Sequence, residues 1–175
     1  MKNLFVIATI ALLLYNPISM VKAQNNDNAI DIEQINIENE QQNALNNEVS
    51  LLQLGDENNA YIKQVGLHTT TVNQQGLNNS MYVLQNGLNG QFALSQTGSM
   101  NNYYGELNGD FIEVYITQDG NYNTVQQQIS SNFAKSNIVQ DGQYNSVIHT
   151  STATDSPELN IQQRGNNMQL IIRSY

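Results

Sequence analysis

Gln74-Gln75-Gly76-Leu77-Asn78-Asn79-Ser80-Met81-Tyr82-Val83-Leu84-Gln85-Asn86-Gly87 carries one turn and one complete strand, and its pattern is copied along the chain. At odd offsets after Gly76 stand Asn79, Met81, Val83 and Gln85; the even offsets hold Ser80, Tyr82 and Leu84. A period of two marks a strand whose alternate side chains point to opposite faces. One face therefore reads Asn, apolar, apolar, Gln. The series returns as Asn58-Ala60-Ile62-Gln64 after Gly55 and as Asn47-Val49-Leu51-Gln53 before it. Gly and the Asn or Asp residues that follow it form the turn, where glycine supplies positive φ at no steric cost.

Along the chain, Gln-x-Gly recurs at Gln53, Gln64, Gln74, Gln85, Gln96, Gln118, Gln140 and Gln163, at spacings of 11, 10, 11, 11, 22, 22 and 23. Decayed copies fill the wide gaps: Leu107-Asn108-Gly109, 11 after Gln96, and Gln128-Ile129-Ser130, 10 after Gln118. The units run from about Asn47 to Tyr175. Units of such constant length predict an all-β solenoid with two strands per rung rather than a sandwich with varied loops. About six strand-turn-strand rungs of 22 residues would stack at ~4.8 Å in a cross-β, amyloid-like arrangement.

The two strands of a rung differ. The first ends in Gln53, Gln74, Gln96, Gln118, Gln140 and Gln163; the second starts with Asn58, Asn79, Asn101, Asn123 and Asn145 and loses the pattern at Met168. The second strand's terminal column decays, through Gln64, Gln85, Leu107 and Gln128 to Ser151 and Ser174. Between them run apolar columns, Leu51-Val72-Leu94-Ile116-Ile138-Ile161 and Val49-Thr70-Phe92-Val114-Ser136-Leu159. In a dry, narrow interior, identical amides one rung apart satisfy each other as a ladder. The pattern leaves strand facing open over 130–137, where the spacing slips to 12, and over 150–157.

Composition agrees. Asn and Gln supply 48 of 175 residues, charged residues are only 12 %, and Cys and Trp are absent. No Cys means no disulfide, thiolate nucleophile or Cys-based metal site. Lys2, the apolar run Leu4 to Tyr15 and the small residues of Val21-Lys22-Ala23 read as a secretory signal over residues 1–23, since that run is too short to span a bilayer. Residues 24–46 then form an acidic, Asn-rich N-terminal segment, either a solvated leader or a secretion or partner signal. Removal of residues 1–23 leaves four basic residues against fifteen acidic ones, a formal charge of −11 that makes nucleic acid a poor partner.

Written as spacing, the rungs read Gln53-x4-Asn58-x5-Gln64, Gln74-x4-Asn79-x5-Gln85, Gln96-x4-Asn101-x5-Leu107 and Gln140-x4-Asn145. This resembles the curlin repeat, Ser-x5-Gln-x4-Asn-x5-Gln. The family's leading Ser is replaced by Asn47, His68, Gly90, Ile112, Ala134 and Pro157, so a Ser ladder is not expected. The resemblance implies subunits exported unfolded through outer-membrane secretion and assembly machinery, which polymerise with other curlin subunits into extracellular curli fibres for adhesion and biofilm matrix. The last unit, Gln163-Arg164-Gly165 through Met168, Leu170, Ile172 and Arg173, looks like the basic final repeat of the minor, nucleating subunit. On that likeness these residues anchor or nucleate at the cell surface. The alternatives are a major fibre subunit, with the two Arg merely relieving self-repulsion, and a monomeric secreted solenoid that binds polysaccharide.

Other constellations are weak. His68 and His149 read as packing residues, and Asp119 and Asp141 as turn residues. No cofactor or metal is implied, and no carboxylate cluster suggests catalysis. Tyr82, Tyr104, Tyr115 and Tyr122 are outward positions open to polysaccharide or planar ligands, although strands favour tyrosine in any case.

Overall fold

A computed structural model describes residues 7–13, 18–24, 29–35, 47–154 and 158–175. These residues form parallel strands with no helix: β1 (Ile7–Leu13), β2 (Ile18–Gln24), β3 (Ala29–Ile35), β4 (Glu48–Asp56), β5 (Asn59–Leu77), β6 (Ser80–Ser99), β7 (Asn102–Asn108), β8 (Glu113–Asn121), β9 (Thr124–Ser130), β10 (Lys135–Gln143), β11 (Ser146–Ser151), β12 (Leu159–Asn166) and β13 (Gln169–Ser174).

The fold is a β-solenoid of about six turns. β5 and β6 each turn a corner, at Gly66 and Gly87, so their two halves lie in different layers. The first layer stacks β4, the second halves of β5 and β6, β8, β10 and β12. The second layer stacks the first halves of β5 and β6, then β7, β9, β11 and β13. Alternate residues face the space between the layers, and the core there includes Val49, Leu51, Ile62, Val72, Met81, Phe92, Tyr103, Ile116 and Ile138. The two apolar columns read from the sequence stand in register: Leu51 opposite Val72, Val72 opposite Leu94, and so on to Ile161.

Rungs of unequal length are reconciled at corners. The 21-residue first step meets the 22-residue second one through a register shift at Leu67/His68, where Asn89 is the extra residue at φ +56°. The pattern also extends N-terminal of residue 47. β3 pairs with β5 so that Ile30, Ile32 and Gln34 stand opposite Ala60, Ile62 and Gln64, while β2 lies beside β4. Residues 36–46 and Pro157 lie outside the described residues.

Candidate functional site: the amide ladders and the ends of the stack

The first column of glutamines is continuous. Gln53 Nε2 donates to Gln74 Oε1 at 2.7 Å, and the contact repeats from Gln74 to Gln96, Gln96 to Gln118, Gln118 to Gln140 and Gln140 to Gln163 at 2.8–2.9 Å. The second proton of Nε2 crosses to the other layer: Gln74, Gln96, Gln118, Gln140 and Gln163 reach the carbonyls of Asn59, Ser80, Asn102, Thr124 and Ser146, each at 3.1 Å. Each amide thus joins the next rung and bridges the layers. Losing one strands buried partners, each costing about 1–3 kcal/mol.

Asparagine and glycine columns interlock at the corner. Asn79 Oδ1 accepts the backbone N–H of Asn101 at 3.1 Å, and Asn79 Nδ2 donates to the Gly98 carbonyl at 3.0 Å. The same clasp recurs at Asn58, Asn101 and Asn123. That Gly98 carbonyl occupies the space a side chain on Gly76 would need, 1.9 Å from an ideal Cβ. Glycine is therefore required both for φ +121° and for the close approach of the next rung. Asn145 makes the last clasp, donating to the Gly165 carbonyl and accepting the N–H of Met168, which has no amide to pass on.

Gln53, Asn58 and Gln64 define the first of these rungs. Residues 46–68 match the family model of the curlin associated repeat. No curated protein and no solved structure matches the chain. The match covers one rung, and the later rungs stack in register on it.

The second glutamine column ends early. Gln64 Nε2 reaches Gln85 Oε1 at 3.3 Å and Thr70 Oγ1 at 3.0 Å, and Thr70 in turn donates to Gln85 Oε1 at 2.6 Å. Leu107, Ile129 and Ser151 continue the column. The sequence placed Gln128 there, but Gln128 is exposed and pairs with Glu106; Ile129 takes the position, so the slip to 12 residues disappears. Three Gln in succession made the register ambiguous, and the apolar Ile129 was the better guide.

A buried polar network in the middle rungs escaped the sequence reading. Tyr103 donates to Gln127 Oε1 at 3.2 Å, and Gln127 Nε2 contacts Ser136 Oγ at 2.9 Å and His149 Nδ1 at 3.2 Å. Gly105 makes the room, since its Cβ would lie 2.2 Å from the Tyr103 hydroxyl. Burial pushes the Tyr103 hydroxyl pKa up and those of His149 and His68 down. In the leading column, where no Ser ladder is expected, Asn47 Oδ1 accepts the His68 N–H at 2.9 Å. His68 Nε2 lies 3.1 Å from the Val65 carbonyl, while its buried Nδ1 lacks a partner and faces the bare Cα of Gly90.

The outer surface carries aromatic rows. Tyr61, Tyr82 and Tyr104 stack at 4.6 and 5.0 Å with nearly parallel rings. Tyr104 also donates to Glu106, which raises its pKa to about 12, and Tyr115 donates to Gln91. At the corners, Met100, Tyr122 and Tyr144 on one side and Phe111 and Phe133 on the other sit at φ +56° to +58°. A bulky residue there costs roughly 1–2 kcal/mol. Each pair recovers about 0.5–1.5 kcal/mol by stacking, Tyr122–Tyr144 at 4.8 Å and Phe111–Phe133 at 5.1 Å.

The first and last glutamines of the column differ. On β4, beside β2, Gln53 Oε1 is buried with no donor. At the last, Gln163 turns its forward proton to the Met168 carbonyl at 3.2 Å, and the space over Gly165 holds only Met168 Cε at 3.7 Å. Leu170 faces inward yet is 36 % exposed, Ile172 is half-buried, and Arg164 and Arg173 are exposed. Arg164 stands in register with Asp141. Among the described residues no three His, Asp or Glu come together as a metal site, and no helix is long and apolar enough to cross a membrane.

Proposed function

We propose that the chain is a structural subunit of an extracellular, amyloid-like curli fibre and, more finely, the minor subunit that nucleates fibre growth at the cell surface in adhesion and biofilm formation. In this reading residues 1–23 are a removed secretion leader, 24–46 an acidic segment and 47–175 the polymerising domain.

The observation that carries the reading is the pair of unfinished ends. The last rung presents Leu170, Ile172 and an uncovered Gly165, and the first presents the orphaned Gln53 Oε1. Removal of residues 1–23 takes away most of β2 and bares the β4 edge. An unpaired edge with matching ladders templates another chain. A second copy's β12 laid on β4, with its β13 taking the place of β3 beside β5, supplies Gln163 Nε2 to Gln53 Oε1 and so extends the column across the joint. Arg164, Met168, Leu170, Ile172 and Arg173 are the surface-anchoring group: Met168 ends the asparagine clasp, and the two Arg are the last bases of an acidic chain.

The test follows purified chain lacking residues 1–23 by sedimentation and thioflavin fluorescence, with and without preformed seeds. Seed-dependent conversion to sedimenting, dye-positive material is expected; a chain that stays monomeric for days contradicts the reading. For the nucleating role, deletion of Met168–Tyr175 leaves polymerisation in solution and releases product from cells. Unchanged surface retention excludes that role and leaves a major-subunit assignment.

A further inference from the structure

The corner aromatics are placed where the backbone disfavours them. The same corner positions are filled by Asn78, Asn89 and Asn167 at φ +56° to +58°, so asparagine satisfies the turn. Yet the middle rungs put Met100, Tyr122 and Tyr144 on one corner and Phe111 and Phe133 on the opposite one, all exposed, Phe133 to 64 %. Ring stacking offsets only part of the left-handed penalty, which leaves the choice unexplained within a single stack. Leu77, beside the corner position that Asn78 fills, is a further apolar residue left 49 % exposed. Contiguous exposed apolar rows mark interaction surfaces.

We infer that these two corner seams are lateral interfaces: the Met100–Tyr122–Tyr144 seam of one stack packs against the Phe111–Phe133 seam of a second copy lying beside it, so that stacks associate into ribbons. This goes beyond axial polymerisation, because it runs perpendicular to the stacking direction. Two features select the occupant. Within each seam the two rings lie face to face, 4° and 7° from parallel, so each spends one face on the other and turns its edge outward. Met100 and Asn167 fill the corner positions on either side of the tyrosine pair, so a sugar ring, which stacks on an open aromatic face, has little to rest on there. Second, the rings of the two seams are spaced alike, 4.8 and 5.1 Å between centroids, as the strands that carry them are, so a neighbouring copy in the same orientation brings ring against ring along the axis. Because the seams lie on opposite corners, the contact is heterologous and leaves a free seam on each side, which makes an open ribbon rather than a closed pair. Carboxylates at the first corner, Asp56, Glu57, Asp119 and Asp141, oppose the approach, and salt screens them.

The test compares the full chain with two variants, Met100→Asn/Tyr122→Asn/Tyr144→Asn and Phe111→Asn/Phe133→Asn, by electron microscopy at low and moderate salt. Asparagine already occupies equivalent corners, so folding is retained and circular dichroism checks it. Wild type is expected as ribbons two or more stacks wide, wider with salt; each variant alone as single stacks; and an equimolar mixture of the variants as pairs, since one good seam of each kind remains. Either variant keeping wild-type width, a wild type of single stacks, or a mixture that does not pair overturns the proposal. So does capture of single wild-type stacks by insoluble cellulose that both variants lose, which would make a glycan the occupant. Axial length is scored on the same grids: short particles that still pair sideways refute fibre growth and leave the seams standing, whereas long single stacks do the reverse.

Discussion

Gln96 Nε2 lies 2.8 Å from Gln118 Oε1 and 3.1 Å from the Ser80 carbonyl, so one buried amide holds its rung to the next and one layer to the other. Replacing it by an apolar residue of similar size tests that double duty. Gln96→Leu strands Gln74 Nε2, Gln118 Oε1 and the Ser80 carbonyl, and is expected to lower stability by about 2–4 kcal/mol in urea titration. Exposed Gln162→Leu in the same layer should shift it by less than about 0.5 kcal/mol. Equal effects would mean the ladder contributes nothing beyond volume.

Glycines inside and at the end of the column should behave differently. Gly76→Ala places Cβ 1.9 Å from the Gly98 carbonyl and is expected to prevent the native stack, read as loss of cooperative unfolding. Gly165→Ala meets nothing closer than Met168 Cε at 3.7 Å, so the folded chain survives with about 1–3 kcal/mol of backbone strain from φ +127°. If growth adds a rung over Gly165, that variant elongates from seeds at least tenfold more slowly although it folds. Elongation at the wild-type rate would place growth elsewhere.

Tyr103 and Gly105 form one unit. Gly105→Ala drives a methyl to 2.2 Å from the Tyr103 hydroxyl and should cost about 1–3 kcal/mol. Adding Tyr103→Val, the residue that Val125 and Val147 place in the same column, should recover most of that loss. A double-mutant cycle in which the two effects simply add would refute the coupling.

These cases show what the sequence made legible. Period two and the Gln-x-Gly spacing revealed the strands, the corners and both apolar columns, because stacking repeats the same physical demand at every rung. What repetition does not carry was hidden. The Tyr103–Gln127–His149 network occurs once, with Gly105 as its only advance sign, and Gln127-Gln128 offered two amides for one inward position. Corner aromatics were visible as residues, but their left-handed φ was not, since tyrosine and phenylalanine do not announce that conformation as glycine does.

Acid should weaken the folded stack through its histidines. His68 and His149 are buried and desolvated, which holds both pKa values below the usual 6.5; Asp110 and the Val65 carbonyl partly offset this for His68. Above pH 6.5 both folded and unfolded forms are neutral and stability is flat on this account. As pH falls below 6.5 the unfolded chain takes up protons that the folded one refuses, and stability declines until the folded pKa is reached. Urea midpoints between pH 7.5 and 4.5 should show that slope, and His68→Asn/His149→Gln should reduce it. An unchanged slope in the variant would assign the acid response to other groups.

Fibre diffraction from aligned material, grown from the chain lacking residues 1–23, decides whether the rungs stack along the fibre. A sharp meridional reflection at ~4.8 Å from rungs stacked along the fibre axis is expected, with an equatorial spacing of ~10 Å between layers. Dye-positive aggregates lacking the meridional reflection, or strands running along the fibre axis instead of across it, would contradict that stacking.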